Sequence, residues 1–230
     1  MAIQWPMKIL KPQDISVDIS HRSLRGPAAA NGFTQVVSNS AGLWKVSYSS
    51  IPVYSTSMIK LWRALDTLIE GQLNVISLPV WDYPRSPSAT DELGKNLRDF
   101  YALSATHSDS SYFSDGSGYL STYTNVYTSA TAAIGTVTLS VLKTVPATLE
   151  PGQRFSINDR LYQIQRITDQ TDTSATFVVR PPLREFVNLG DQLEFDLPRV
   201  KVRLASDTAM ALPLDFNRQS FPTLEFIEDL

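Results

Sequence analysis

The residues able to do chemistry are few, and their spacing assembles none of the familiar sites. The 230-residue chain has two histidines, His21 and His107, and no cysteine. Neither histidine has a His, Asp or Glu three or four residues further on, the spacing that puts two metal ligands on one helix face, and both read as surface residues. The lack of cysteine excludes disulfides, thiolate ligands and a cysteine nucleophile, and leaves the redox compartment open. Ser40 lies in Asn39-Ser40-Ala41-Gly42, without the G-x-S-x-G turn of a nucleophile elbow. His107-Ser108-Asp109 holds all three letters of a hydrolytic triad, but consecutive residues cannot converge as a triad must.

Two carboxylates facing each other would suffice for glycoside hydrolysis. The candidates are Asp191, Glu194 and Asp196, and the set Glu225, Glu228 and Asp229. Glu194 and Asp196 are two apart on a strand pattern, so they share a face, read as the solvated one. The second set reads as a terminal tail whose charge serves solvation. Asp109 to Gly118 lacks the ligand spacing and closing Glu of a calcium loop, and no glycine loop of the phosphate-cradling type occurs. The expectation is therefore no catalytic residue, no metal, no cofactor, and a protein that is not an enzyme. The most unusual polar cluster is Arg180-Pro181-Pro182-Leu183-Arg184-Glu185. Arg180 and Arg184, flanking a rigid diproline, could pair with carboxylates of a neighbouring chain, or simply form a corner within this one.

The stretch from about Asp99 to Ala133 stands apart. It has no Pro or Lys, and sets Tyr101, Tyr112, Phe113, Tyr119, Tyr123 and Tyr127 among Ser, Thr, Gly and Asn. Loops longer than about 15 residues are unusual in a compact domain unless functional or disordered, and disordered segments are poor in aromatics. Rigid rings with small polar neighbours suit an adaptable contact surface. The six aromatic residues are accordingly expected to touch a partner, foremost another copy of the chain. The alternative is a mobile surface excursion.

Composition narrows the partners. A net charge of −3 without clustered Lys and Arg argues against a nucleic-acid footprint. No run of about 18 apolar residues is present, so no membrane partner is expected. The N-terminus, Met1-Ala2-Ile3-Gln4-Trp5-Pro6, lacks the layout of a secretion signal.

The elements that must position these residues are mostly short strands. Alternation marks Ile15 to Ile19, Gln35 to Val37 and Leu43 to Ser49, and later Thr136 to Val145, Arg154 to Ile157, Leu161 to Ile164, Ala175 to Arg180, Gln192 to Leu197, Val200 to Leu204 and Leu224 to Glu228. Asn158-Asp159 is a two-residue hairpin signal. Leu73 to Val80 reads as a nearly continuous apolar strand. One helix is expected over about 58–70: Met58, Leu61, Trp62, Leu65, Leu68 and Ile69 recur every three or four residues, with Ser57 as N-cap and Gly71 as left-handed terminator. The class is mainly β: a β-sandwich carrying one amphipathic helix, a smaller barrel-like inserted β domain, and a long Tyr/Ser/Thr-rich arm. The expected boundaries are residues 1–90 for the sandwich, 91–135 for the arm, 136–198 for the insertion, and 199–230 for strands returning to the sandwich. Edge strands near Leu193 to Leu204 are expected to dock a neighbour's sheet.

Several segments, taken in order, carry a resemblance. They are Phe33-Thr34-Gln35-Val36-Val37, Ala41-Gly42-Leu43-Trp44, Ile59 to Leu65 with Gly71-Gln72-Leu73-Asn74, Leu78-Pro79-Val80-Trp81-Asp82, Arg180-Pro181-Pro182-Leu183-Arg184, Gly190-Asp191 and Leu224-Glu225-Phe226-Ile227-Glu228. Together the chain resembles the distal tail proteins of long-tailed bacteriophages, across most of its length though with no single diagnostic motif. The resemblance implies an N-terminal sandwich with a helix, a second β domain, and no catalytic residues. It also implies a virion structural role at the tail tip, after assembly in the host cytoplasm. The partners would be further copies of the chain, in a ring favoured as a hexamer with a trimer as alternative, and the tail tube and baseplate hub proteins. DNA could pass through such a ring without sequence-specific contact. A carbohydrate-binding module for host surface glycans, stacking exposed aromatics on sugars, is the competing reading. A cell-wall glycan hydrolase ranks below it.

Overall fold

A computed structural model describes residues 2–21, 23–28, 34–38, 42–80, 109, 111, 114, 126–143, 148–215 and 219–230. The elements in chain order are β1 (Ile3–Gln4), β2 (Asp14–Ser20), β3 (Ser23–Ala28), β4 (Thr34–Ser38), β5 (Leu43–Ser49), α1 (Thr56–Ile69) and β6 (Ile76–Pro79). They continue with β7 (Val126–Thr128), β8 (Thr138–Lys143), β9 (Arg154–Ile157), β10 (Arg160–Gln170), β11 (Ser174–Arg180), β12 (Gln192–Leu193), β13 (Arg199–Leu204) and β14 (Leu224–Glu228). The chain is mainly β with one helix among the described residues. It divides into two units, one of Met1–Trp81, Asp159–Leu161 and Arg199–Leu230, the other of Asp82–Asn158 and Tyr162–Pro198.

The first unit is built on a six-stranded sheet in the order β1-β6-β13-β14-β5-β2. Only the short β1–β6 pair is parallel. In β5, Trp44, Val46 and Tyr48 are buried while Lys45 is exposed, so the alternation read from sequence is the inward–outward alternation of the pleat. Among the described residues a layer sharing this core is α1, through Trp62, Leu65 and Ile69. Rings dominate the packing: Trp5 meets Tyr48, Trp62 and Phe226 edge-on at 6.0, 6.3 and 6.1 Å. Each buried indole N–H is satisfied by a carbonyl: Trp5 donates to Leu10, Trp44 to Leu161 and Trp62 to Met210, at 3.0, 2.7 and 2.8 Å. Burying rings of this size costs little in polar desolvation once those donors are paired.

The helix starts two residues earlier than expected. Ser55, not Ser57, is the N-cap, its Oγ accepting the Met58 amide at 3.2 Å. Glu70 is the left-handed C-cap, donating its amide to the Asp66 carbonyl at 3.1 Å, and Gly71 follows at φ +64°. A Cβ at Gly71 would lie 2.7 Å from Oδ1 of Asp207, so close approach as well as φ demands glycine here. The strand expected from Leu73 begins only at Ile76, because Gly71 to Asn74 turns the chain back under the helix end.

The second unit is a barrel. Its sheet runs β12-β7-β8-β11-β10-β9. Ser156 on β9 then bridges to Glu194, next to β12, so the sheet closes nearly completely on itself. The long strand β10 shifts register between Ile164 and Arg166 and again between Ile167 and Asp169. Such irregularities bend a strand and raise its twist, as closure of a small barrel requires. Phe155, Tyr162, Phe177 and Phe195 fill the interior with aliphatic residues from every strand. The hairpin between β9 and β10 turns at Asn158 and Asp159, φ +52° and +63°, the paired left-handed geometry that its sequence signals.

One expected boundary moves, and one expected pair of edges is filled. Residues 126–128 are strand β7 inside the barrel sheet, so the arm expected over 91–135 does not extend to its C-terminal end. The edges expected near Leu193 to Leu204 are not edges. β12 is paired to β7 and its continuation to β9, and β13 lies between β6 and β14. Short alternating strands look alike in sequence whether they end a sheet or sit inside one.

Candidate functional site

Four of the six carboxylates singled out from sequence, Asp191, Glu194, Glu228 and Asp229, are committed to local structure. Oδ2 of Asp191 accepts the Asn188 amide at 2.7 Å. Glu194 Oε1 accepts the amides of Asp196 and Leu197, at 2.8 and 2.9 Å, and so fixes the exit from the barrel. Asp109 is fully exposed, and hydrogen bonds from the hydroxyl and amide of Ser111 (2.7 and 3.0 Å) hold its pKa below the usual carboxylate value. His21 is exposed, whereas His107 and Ser40 lie outside the described residues. Among the described residues no group of three or more His, Asp or Glu is placed to hold a metal ion, and no helix is long and apolar enough to cross a membrane.

The C-terminal acidic set corrects the reading as a solvated tail. Glu225 is exposed, but Glu228 is buried, and its Oε2 accepts the Trp44 amide at 3.1 Å. Asp229 collects two arginines. Arg203 Nε donates to its Oδ1 at 2.6 Å, while the Arg160 guanidinium donates to its carbonyl and lies 3.9 Å from its Oδ2. The missed signal was positional: Glu228 continues the inward series of Leu224 and Phe226, so strand periodicity already placed it indoors. Nearby, the Tyr48 hydroxyl donates to the Pro79 carbonyl at 2.5 Å. Burial raises the pKa of that phenol strongly, and the positive charge of Arg199 offsets only part of this.

Of the expected contact residues, Tyr101, Tyr112, Phe113, Tyr119 and Tyr123 lie outside the described residues. Tyr127 is a half-buried residue of β7, opposite Leu142 on one side and Gln192 on the other. Arg180 ends β11 opposite Gln163, and Arg180–Pro181 is a cis peptide bond. Arg184 donates its amide to the Tyr162 hydroxyl at 3.0 Å, and Leu183 between them is buried. The Arg–Pro–Pro–Leu–Arg segment is thus a corner of the barrel, with both arginine side chains half-buried. No family model matches the chain, and no curated protein matches it. The functional reading therefore rests on the geometry and on the sequence patterns.

What the described surface leaves open is apolar. Strands β3 and β4 form a two-stranded ribbon separate from both larger sheets. On it Leu24, Val36 and Val37 are 79, 59 and 57% exposed. Leu24 sits directly opposite Val37, and Arg25 opposite Val36, so each ribbon face carries an uncovered aliphatic side chain. A second open area lies at the end of α1, where Leu68 and Leu73 are exposed beside Asp66 and Glu70. Trp5, Trp44 and Trp62 are all buried, so none of the three offers a ring for stacking on a sugar.

Proposed function

We propose that this chain is a virion structural protein, a ring-forming adaptor of the distal tail type that joins the tail tube to the baseplate hub. One observation carries the reading: a scaffold whose second sheet closes on itself still leaves the β3–β4 ribbon bare on both faces. An isolated two-stranded ribbon gains little stability by itself, and exposed aliphatic residues on it suit a contact with another chain. The carboxylates committed to turns and arginines, and the buried indoles, fit a mechanical role better than hydrolysis or sugar binding. The resemblance to bacteriophage distal tail proteins supplies the specific partners. In this reading Tyr101 to Tyr127, with Arg180 and Arg184, add contacts to sister subunits, tube or hub.

Native mass spectrometry of the purified protein, alone and with tail tube and hub proteins co-produced from the same genome, tests it. A closed ring, six copies being favoured, that binds either partner is the expected result. A strictly monomeric protein at high concentration that binds neither rejects the proposal.

A further inference from the structure

We propose that subunits meet head to tail, the Arg25/Val36 face of the β3–β4 ribbon of one copy lying on the Leu68/Leu73 end of α1 in the next. This rests on the ring-forming reading and specifies its contact. The argument begins with an oddity of charge. The C-terminal end of a helix is the negative end of its macrodipole and is normally furnished with Lys, Arg or His. The last turn of α1 has no basic residue, and Asp66 and Glu70 stand exposed there. Among the described residues neither carboxylate makes an ion pair. Arg203 already binds Asp229 and donates to the carbonyls of Gln72 and Leu73, and Arg63, three residues before Asp66 on the helix, makes no ion pair among the described residues either. The helix end is therefore an acidic rim around two exposed leucines, unfavourable in the isolated chain and suited to a cation from outside.

The ribbon supplies the complement. Arg25 and Val36 share one face, and among the described residues the guanidinium makes a single long hydrogen bond, 3.4 Å to Thr34 Oγ1. A valine beside an arginine matches leucines beside carboxylates in both polarity and sign. The two patches also join one sheet at different points in its strand order. The ribbon follows β2 and precedes β5, at one end of the strand order. The helix end is tied to the β13 side, where Gln72 Nε2 donates to the Ala205 carbonyl at 2.9 Å and its amide to Asp207 Oδ1 at 3.1 Å. Three strand spacings, about 14 Å, separate β13 from β2. Complementary patches displaced across one subunit make a heterologous contact, which closes into a ring when the rotation per copy divides a full turn. A two-fold contact of ribbon on ribbon would instead set one Arg25 against another.

Charge reversal with mixing is the test, read by sedimentation velocity. Arg25→Glu alone and Glu70→Lys alone should each weaken association by on the order of tenfold or more. An equimolar mixture of the two should reassemble, because every contact in an alternating ring is then of opposite sign, and the double variant should assemble by itself. Far-ultraviolet circular dichroism spectra matching wild type, with cooperative unfolding retained, confirm that both exposed substitutions leave the fold intact. If wild type assembles but Arg25→Glu assembles equally well, or mixing rescues nothing, the head-to-tail contact is wrong while the ring reading stands. Sensitivity to Arg25→Glu with indifference to Glu70→Lys would point to the ribbon–ribbon contact and overturn the proposal. A wild type that stays monomeric at every concentration rejects this contact, and, if it also binds neither tube nor hub protein, the ring reading with it.

Discussion

Ser156 and Glu194 exchange backbone hydrogen bonds, amide to carbonyl in both directions at 2.9 Å, and through this one pair the barrel sheet closes. Every other neighbouring strand pair in that sheet is part of a ladder. The closing pair is flanked by the turn that the Glu194 carboxylate holds, through the amides of Asp196 and Leu197. Closure removes the free edges that an open six-stranded sheet would present to other chains.

Removing the amide should therefore open the barrel locally. Glu194→Pro deletes one closing bond and leaves the buried Ser156 carbonyl unsatisfied, at a cost of about 1–3 kcal/mol. The expected outcome is a lower denaturant midpoint together with faster hydrogen exchange at Ser156. Glu194→Gln retains the backbone bonds and should leave Ser156 protected. Equal exchange at Ser156 in all three proteins would contradict this.

At the helix end, Gly71→Ala is expected to destabilise by about 1–2 kcal/mol, since alanine pays both for positive φ and for a Cβ against Asp207. Combining it with Asp207→Ala should recover part of the loss, the part due to crowding. Thermal denaturation of the two single variants and the double separates the contributions.

Much of this architecture could be read before the fold. The apolar recurrence from Met58 to Ile69, the Asn158-Asp159 turn and the alternation of β5, β11, β13 and β14 all signal through local periodicity. What escaped was long-range. Nothing local separates an edge strand from β13, which sits between β6 and β14, or reveals that Glu194 meets Ser156 across the barrel. Strand β3 contains Gly26 and Pro27, which are poor strand formers and interrupt any alternation there. The register shift between Arg25 and Ala28 shows how the ribbon absorbs them. The open side chains of the ribbon, Leu24, Val36 and Val37, are aliphatic and too few to stand out by composition, as the aromatic residues between Tyr101 and Tyr127 do.

Asp229 should prove structural. Asp229→Asn keeps the shape but replaces the charge that faces Arg160 and Arg203, and Arg160 is only 10% exposed in its side chain. Loss of about 1–2 kcal/mol is expected, from weakening the charge-assisted contacts that Asp229 makes with the two guanidiniums. Glu225→Gln, an exposed change on the preceding strand, should be close to neutral. Urea unfolding of the two variants in parallel reads the difference, and equal stability would return the acidic terminus to a mere solvated tail.

Tyr48 gives the molecule an alkaline limit. Its phenol is buried and its pKa lies above the ordinary value of about 10, so the folded chain keeps a proton that the unfolded chain releases. That contribution is fully present below pH 10. It falls away as pH climbs past the unfolded value toward the folded one, because there the unfolded state binds fewer protons. Tyr48→Phe should lose the hydrogen bond to Pro79, about 1 kcal/mol at neutral pH. In exchange, its melting temperature should decline less steeply than wild type between pH 9 and pH 11. The comparison cancels the surface lysines and tyrosines common to both proteins. Parallel decline of the two melting curves would mean that the buried phenol ionises no later than an exposed one.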